Sequence, residues 1–129
     1  MAEEQYPDDL LYHPEHDWAR IDGEEATFGI TWYAQDALGE VVFFDPPEDS
    51  AEVSKDTPYA EVESVKAVSE VFAPLSGVLI AVNTAAAENP ERINDDPYGQ
   101  GWLVKVKLTN PSQAEQLLSA ADYRKLLEA

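Results

Sequence analysis

Lys66 is the residue whose setting most invites chemistry. It stands in Val62-Glu63-Ser64-Val65-Lys66-Ala67-Val68-Ser69-Glu70-Val71, with strand-forming residues on both sides. A strand, a turn and a second strand around a lysine put an amine at a hairpin tip, its backbone fixed by the ladders on each side. A deprotonated lysine amine attacks activated acyl groups, and its four-carbon stem extends its reach. The ordinary fate of a lysine is a solvated surface side chain. Two features set Lys66 apart: lysine is scarce ahead of Lys105 in a chain with 26 acidic residues, and Lys66 lies at the junction of an internal repeat. A Schiff-base enzyme would need the amine in a desolvated pocket. A hairpin tip among carboxylates is the opposite setting, so attachment is favoured over catalysis.

Other reactive sets are weaker. His13 and His16, with Glu15 and Asp17 nearby, invite a metal ion, but a metal site needs convergent ligands and supporting hydrogen bonds that this spacing does not promise. Two histidines in one N-terminal segment offer no Ser-His-Asp set. Gly99-Gln100-Gly101 lacks the rest of a phosphate-binding fingerprint. The chain has no cysteine, which excludes disulfides, thiolate zinc sites and a cysteine nucleophile. Catalytic and metal-ligating residues are therefore expected to be absent.

The elements that must position Lys66 can be read outward from it. Leu38-Gly39-Glu40-Val41-Val42 is echoed by Leu75-Ser76-Gly77-Val78-Leu79, and Asp56-Thr57-Pro58-Tyr59 by Asp95-Asp96-Pro97-Tyr98. Each Pro-Tyr pair leads into a β-rich run, Ala60–Glu63 in one copy and Trp102–Val106 in the other. Two copies are too few for a solenoid but suit two pseudo-symmetric β-halves packed as a sandwich, a core spanning residues 38–108. Upstream, Trp18–Ile21 and Ala26–Ile30 flank Asp22-Gly23 as a hairpin. Thr31 is placed to cap a short helix that ends at Gly39. Trp18, Trp32, Tyr98 and Trp102 are expected in the core. Residues 1–9, rich in acids and proline, read as a loose start. Asn110-Pro111-Ser112-Gln113 and Ser119–Asp122 each read as a helix start, giving two short helices over 111–127 that dock through Leu117, Leu118, Leu126 and Leu127. The whole of 1–129 reads as one domain.

With 8 basic against 26 acidic residues the net charge is −18, which repels phosphate backbones and excludes nucleic acid as a natural partner. Such a surface suits partners with basic docking patches. No apolar run approaches the ~20 residues of a membrane span, and no basic-then-apolar leader is seen. The expectation is a cytoplasmic protein with no membrane association.

Glu63-Ser64-Val65-Lys66-Ala67 resembles the lipoylation motif of glycine cleavage H proteins, and Ala73-Pro74-Leu75-Ser76-Gly77 is similar to the segment that follows it. The resemblance extends to His16-Asp17-Trp18, Gly29-Ile30-Thr31, Ala34-Gln35-Asp36, Leu38–Val42, Val82-Asn83 and Asn94–Trp102, covering nearly all of Leu11–Leu127. It implies a mainly β barrel-sandwich hybrid of two intertwined halves, like the lipoyl and biotinyl carriers, with short peripheral helices. It implies lipoate in amide linkage to Lys66, installed by a lipoate ligase or an octanoyl/lipoyl transferase. It further implies a monomeric, non-catalytic carrier. The carrier would take an aminomethyl group from glycine decarboxylase (P protein) to aminomethyltransferase (T protein), and electrons to dihydrolipoyl dehydrogenase (L protein). An acid in the cleft that shelters the arm would pair with the amine; Asp17 stands where the family has Glu, and Glu70 where it usually has an acid. Biotin carriers have methionine on each side of the lysine, and 2-oxo acid dehydrogenase domains usually have Asp before it. Val65 and Ala67 fit neither pattern. An H-like carrier for another pathway, or a donor in lipoate assembly, would need the same lysine.

Overall fold

Alternation of apolar and polar residues builds the strands. In β9 (Val104–Leu108), Val104, Val106 and Leu108 point inward while Lys105 and Lys107 face solvent. The computed structural model describes residues 3–48 and 50–128. The remaining strands among these are β1 (Leu11–His13), β2 (Asp17–Asp22), β3 (Glu25–Ile30), β4 (Val41–Asp45), β5 (Glu52–Val53), β6 (Pro58–Ser64), β7 (Val68–Phe72) and β8 (Gly77–Val82). One sheet has the order β1-β2-β3-β9-β8-β5 and the other β4-β6-β7. Every pairing is antiparallel. The two sheets face each other across a core that includes Phe28, Phe44, Val62, Leu75, Leu103 and Val104. The result is a two-sheet β sandwich, as expected, without closure into a barrel.

The internal repeat maps onto this plan. The first copy supplies β4 and β6, paired in the small sheet, and the second supplies β8 and β9, paired in the large one. Each pair then recruits a third strand from the opposite half: β7 adds to β6, and β3 adds to β9. The halves are therefore interlocked rather than side by side.

The hairpin of β2 and β3 turns at Gly23, whose φ is +65°. Thr31 caps α1 (Trp32–Leu38) by accepting the Ala34 N–H, and Gly39 ends it at φ +84°. Trp18 is fully buried, its indole N–H donating to the Pro97 carbonyl; its ring lies where a Cβ on Gly29 would be, 2.5 Å away. Tyr98 is buried as expected, while Trp32 and Trp102 are only partly covered.

Several expectations need correction. Residues 3–9 are not loose. Tyr6 is buried in an aromatic cluster with Tyr12 and Tyr123, Tyr98 donates to the Gln5 carbonyl, and Arg124 to the Tyr6 carbonyl. One buried tyrosine outweighs the acidic composition around it, because an aromatic ring buries on the order of 150–250 Å². Met1, Ala2 and Ala129 lie outside the described residues. The 111–127 segment is not two α-helices. Pro111–Gln116 is a 3₁₀ turn, Leu118 then pairs with Tyr12 as an isolated bridge, and only α4 (Ala120–Glu128) is α-helical. Gln113 does not close a capping box; its amide instead bonds the backbone and hydroxyl of Ser76. Short helices α2 (Thr84–Glu88) and α3 (Glu91–Asp95) fill the connection between β8 and β9, where no helix was foreseen. Five-residue helices carry too little periodicity to be read from sequence.

Candidate functional site at the Lys66 hairpin and the adjoining cleft

β6 and β7 are joined by Val65, Lys66 and Ala67, and all three are exposed. The turn is braced from below. Ser64 is buried, and its hydroxyl oxygen accepts the N–H groups of Lys66 and Ala67, at 3.2 and 3.1 Å. The Ser64 N–H donates to the Ala67 carbonyl at 2.7 Å. The Val65 N–H donates to the Glu40 carbonyl at 3.1 Å, tying the tip to the junction of α1 and β4. That junction is itself clamped by Asn94 of α3, a buried side chain. Its amide donates to the Gly39 carbonyl and to Gln35 Oε1, and it accepts the Val41 N–H. A side-chain amide satisfying three buried partners fixes its surroundings strongly, since each lost partner leaves a costly orphan. The Lys66 stem passes over Gly39: a Cβ there would lie 3.3 Å from Lys66 Cε and 3.8 Å from Nζ.

Glu63 faces solvent, opposite Val68 in the register, and Glu61 pairs opposite Glu70. Exposed Phe43 and Val68, with Val65 at 68% exposure, give the rim of the tip an apolar character among these acids.

Beside the tip lies a cleft of about 520 Å³. Ala34, Ala37 and Leu38 of α1 form one wall, Ala67–Phe72 the other, and the turn Glu15–Asp17 closes the end. Lys66 itself does not line it; its neighbour Ala67 does. A larger groove of about 760 Å³ runs between residues 4–8 and α4, but no hairpin residue borders it. The cleft unites Asp17 and Glu70, and adds Tyr33 and His16, which were not expected in it. Glu63 lies outside.

Asp17 is only 1% exposed, so it forms the floor rather than the surface. Burial pushes its carboxyl well above the usual carboxylate range; Glu15 pushes the same way, and a bond from the Phe72 N–H opposes them. The β6–β7 register slips between Pro58 and Ala60, and Phe72 stands at that irregularity, opposite Pro58. The other oxygen, Oδ2, is buried with no hydrogen-bond partner among the described residues, as is the Tyr59 hydroxyl. Among the described residues, no group of His, Asp and Glu is gathered to hold a metal ion. His13 is buried with both ring nitrogens committed, Nδ1 accepting the Glu15 N–H and Nε2 donating to Asp56 at 2.6 Å.

Gly39, Asn94 and Tyr123 are site-shaping residues that sequence reasoning missed. Gly39 was visible as a helix stop, but its contact with a lysine 27 residues later was not. Asn94 carries no local signal at all, because its partners come from α1 and β4.

An exposed lysine on the turn of a β hairpin, in a sandwich of two interlocked halves, is the architecture of the lipoyl- and biotinyl-carrier-like domains. The family model described as glycine cleavage H-protein matches residues 10–129. The glycine cleavage system H protein of Symbiobacterium thermophilum is 48% identical over 117 residues, covering 91% of each chain. That of Rubrobacter xylanophilus is 48% identical over 128 residues, 99% of this chain and 98% of the other. A crystal structure of the H protein from Mycobacterium marinum superposes with a TM-score of 0.88 at 39% identity, covering 96% of this chain and all of that one. The chain belongs to the glycine cleavage H-protein family, carrier components of the glycine cleavage system. Among the described residues, no helix is long and apolar enough to cross a membrane.

Proposed function

We propose that the protein carries lipoate in amide linkage to Lys66 and passes aminomethyl groups and electrons among the enzymes of glycine cleavage. The observation that carries this reading is the braced tip: a flexible amine on a rigid three-residue turn, held by Ser64 and the Glu40 carbonyl. A modifying enzyme, lipoate ligase or an octanoyl/lipoyl transferase, needs such a fixed presentation. In attachment, the neutral Lys66 Nζ attacks the activated acyl carbon. The C–N bond forms, the bond to the leaving group breaks, and the nitrogen gives up a proton to solvent.

The cleft suits the group. Its walls of Ala34, Ala37, Leu38, Val68 and Val71 accept an alkyl arm, while Glu15, Asp17 and Glu70 lie along it. Once bound, lipoate supplies the dithiolane chemistry that the chain's own side chains lack. This chain's residues anchor, aim and shelter. Asp17 Oδ2, buried and unpaired, is placed to hydrogen-bond an amine entering the cleft, and Glu70 lines the same cleft as a second acidic side chain. Exclusion of water by the cleft walls slows the loss of a labile amine adduct. The P, T and L proteins are the partners, and an acidic surface speeds encounters with basic docking patches.

The deciding experiment is intact-mass measurement with peptide mapping after treatment with lipoate ligase, lipoate and ATP. A single lipoyl mass on the peptide containing Lys66, absent in Lys66→Ala, is expected. Modification elsewhere, or none, would sink the proposal. Reconstitution with the P, T and L proteins then tests the pathway.

A further inference from the structure

The end of the cleft away from Lys66 is closed by the turn between β1 and β2, where His16 adopts φ +74°. Left-handed backbone is uncommon outside glycine and needs support from its surroundings. That support comes from two sides. The Tyr33 ring packs on the imidazole at 4.5 Å between centroids, and the Tyr123 hydroxyl lies 2.7 Å from His16 Nδ1. The same hydroxyl is 2.8 Å from Thr31 Oγ1, which accepts the Ala34 N–H as the cap of α1. A residue of the last helix thus joins both ends of the cleft's α1 and β1–β2 framework.

The protons of this chain of groups can be placed by requiring that each has a partner. Thr31 and Tyr123 are both fully buried. If Tyr123 donated to Thr31, the threonine proton would be buried without an acceptor, which is costly. If Thr31 donates to Tyr123, then Tyr123 donates to His16 Nδ1 and both buried hydroxyl protons are used. The imidazole proton must then sit on Nε2, the nitrogen with no protein partner among the described residues. Burial lowers the pKa of His16, keeping the ring neutral against the pull of Glu15, with His13 pushing the same way as burial.

We infer that His16, held as the Nε2–H tautomer by Tyr123, is a hydrogen-bond donor at the closed end of the cleft, with Tyr123 as its positioning residue. This rests on the reading that Lys66 carries a dithiol arm, since the ligand class a neutral N–H suits there is the sulfur of that arm in its reduced form. The titratable groups facing this end are Glu15 of the turn, Asp17 of β2, Glu70 of β7, Tyr33 of α1, Tyr123 of α4 and His13 of β1. The acidic side chains of Glu15 and Glu70 oppose a thiolate, whereas burial holds Asp17 protonated. A neutral donor offsets that opposition without attracting another carboxylate.

Two measurements test the assignment. In unmodified protein, nitrogen-15 NMR of the imidazole is expected to show His16 as the Nε2–H tautomer at neutral pH, and a mixture in Tyr123→Phe. A predominantly Nδ1–H ring in the unsubstituted protein overturns the inference. In lipoylated and reduced protein, the pH profile of thiol alkylation is the second readout. His16→Met is expected to displace it upward, lowering the thiolate fraction at neutral pH roughly tenfold. Tyr123→Phe, which keeps its ring stacked on Tyr12 at 4.8 Å, should move it the same way by less. His16→Gln, which retains a terminal N–H, should stay near the original profile. Superimposable profiles for His16→Met and the unsubstituted protein also overturn the inference. If Lys66 takes up no lipoyl mass, the carrier reading fails, and the donor assignment is then decided by the tautomer alone.

Discussion

The two copies of the internal repeat each place a glycine ahead of their first strand segment, and the two glycines are there for different reasons. Gly39 has φ +84°, ends α1, and lies under the Lys66 stem. Gly77 has no such backbone demand. It begins β8 against β9 so closely that a Cβ would sit 2.5 Å from the Lys107 carbonyl oxygen and about 3 Å from Val106. The strand ends differ in the same sense. β6 runs out into an uncovered three-residue turn, while β9 runs into the 3₁₀ turn whose Gln113 is bonded to Ser76. One copy has been shaped to present a side chain and the other to pack. Equal spacing in sequence does not imply equal physics.

Substitutions can break or sharpen this contrast. Gly77→Val should have the largest effect on stability, about 3 kcal/mol or more, because the obstructing atom is backbone and cannot rotate away. A denaturant midpoint near that of the unsubstituted protein would refute close packing as the role of Gly77. Gly39→Ala should cost less, about 1–3 kcal/mol of backbone strain. The flexible Lys66 stem can move aside, so the contrast predicts altered lysine presentation on top of moderate destabilisation, read as a slower lipoylation rate.

Asp17→Asn should go the other way and raise the melting temperature at pH 7. The folded state holds a proton on the buried carboxyl that the unfolded chain releases above about 3.9, so Asp17 costs stability increasingly as pH rises from there. Asn keeps an acceptor for the Phe72 N–H and does not titrate. The gain should therefore vanish in melts at low pH, and a gain independent of pH would disprove the titration as its cause. Lys66→Ala should be the mildest, within about 0.5 kcal/mol, since the side chain is exposed. A cooperative loss of structure there would mean that the tip supports the fold rather than resting on it.

Much of this was legible in the chain. The β2–β3 hairpin, the Thr31 cap, the Gly39 stop and the repeat all rest on short-range chemistry, and each was readable from a few adjacent residues. Gly77 was visible as a member of the repeat, whereas its real constraint is the neighbouring strand's backbone, 30 residues away. Long-range partners explain the other misses as well. Tyr6 finds Tyr123, Asn94 finds Gln35, and Asp17 reaches Phe72 across the two sheets; no local pattern announces such pairs. Asp17 and Glu70 were read as sharing a cleft by resemblance alone, and the burial of Asp17 beneath it was not foreseen.

The interlocking of the strands has one more consequence. The stretch ending at Lys66 contains β1 to β6, and the stretch after it contains β7 to β9. Neither owns a complete sheet, because β3 is claimed by β9 and β7 by β6. A protease nick in the exposed Lys66 turn would sever the peptide yet leave two fragments gripping each other along three ladders, β3–β9, β5–β8 and β6–β7. A turn that stands open to attack is thus also one that the architecture can survive losing.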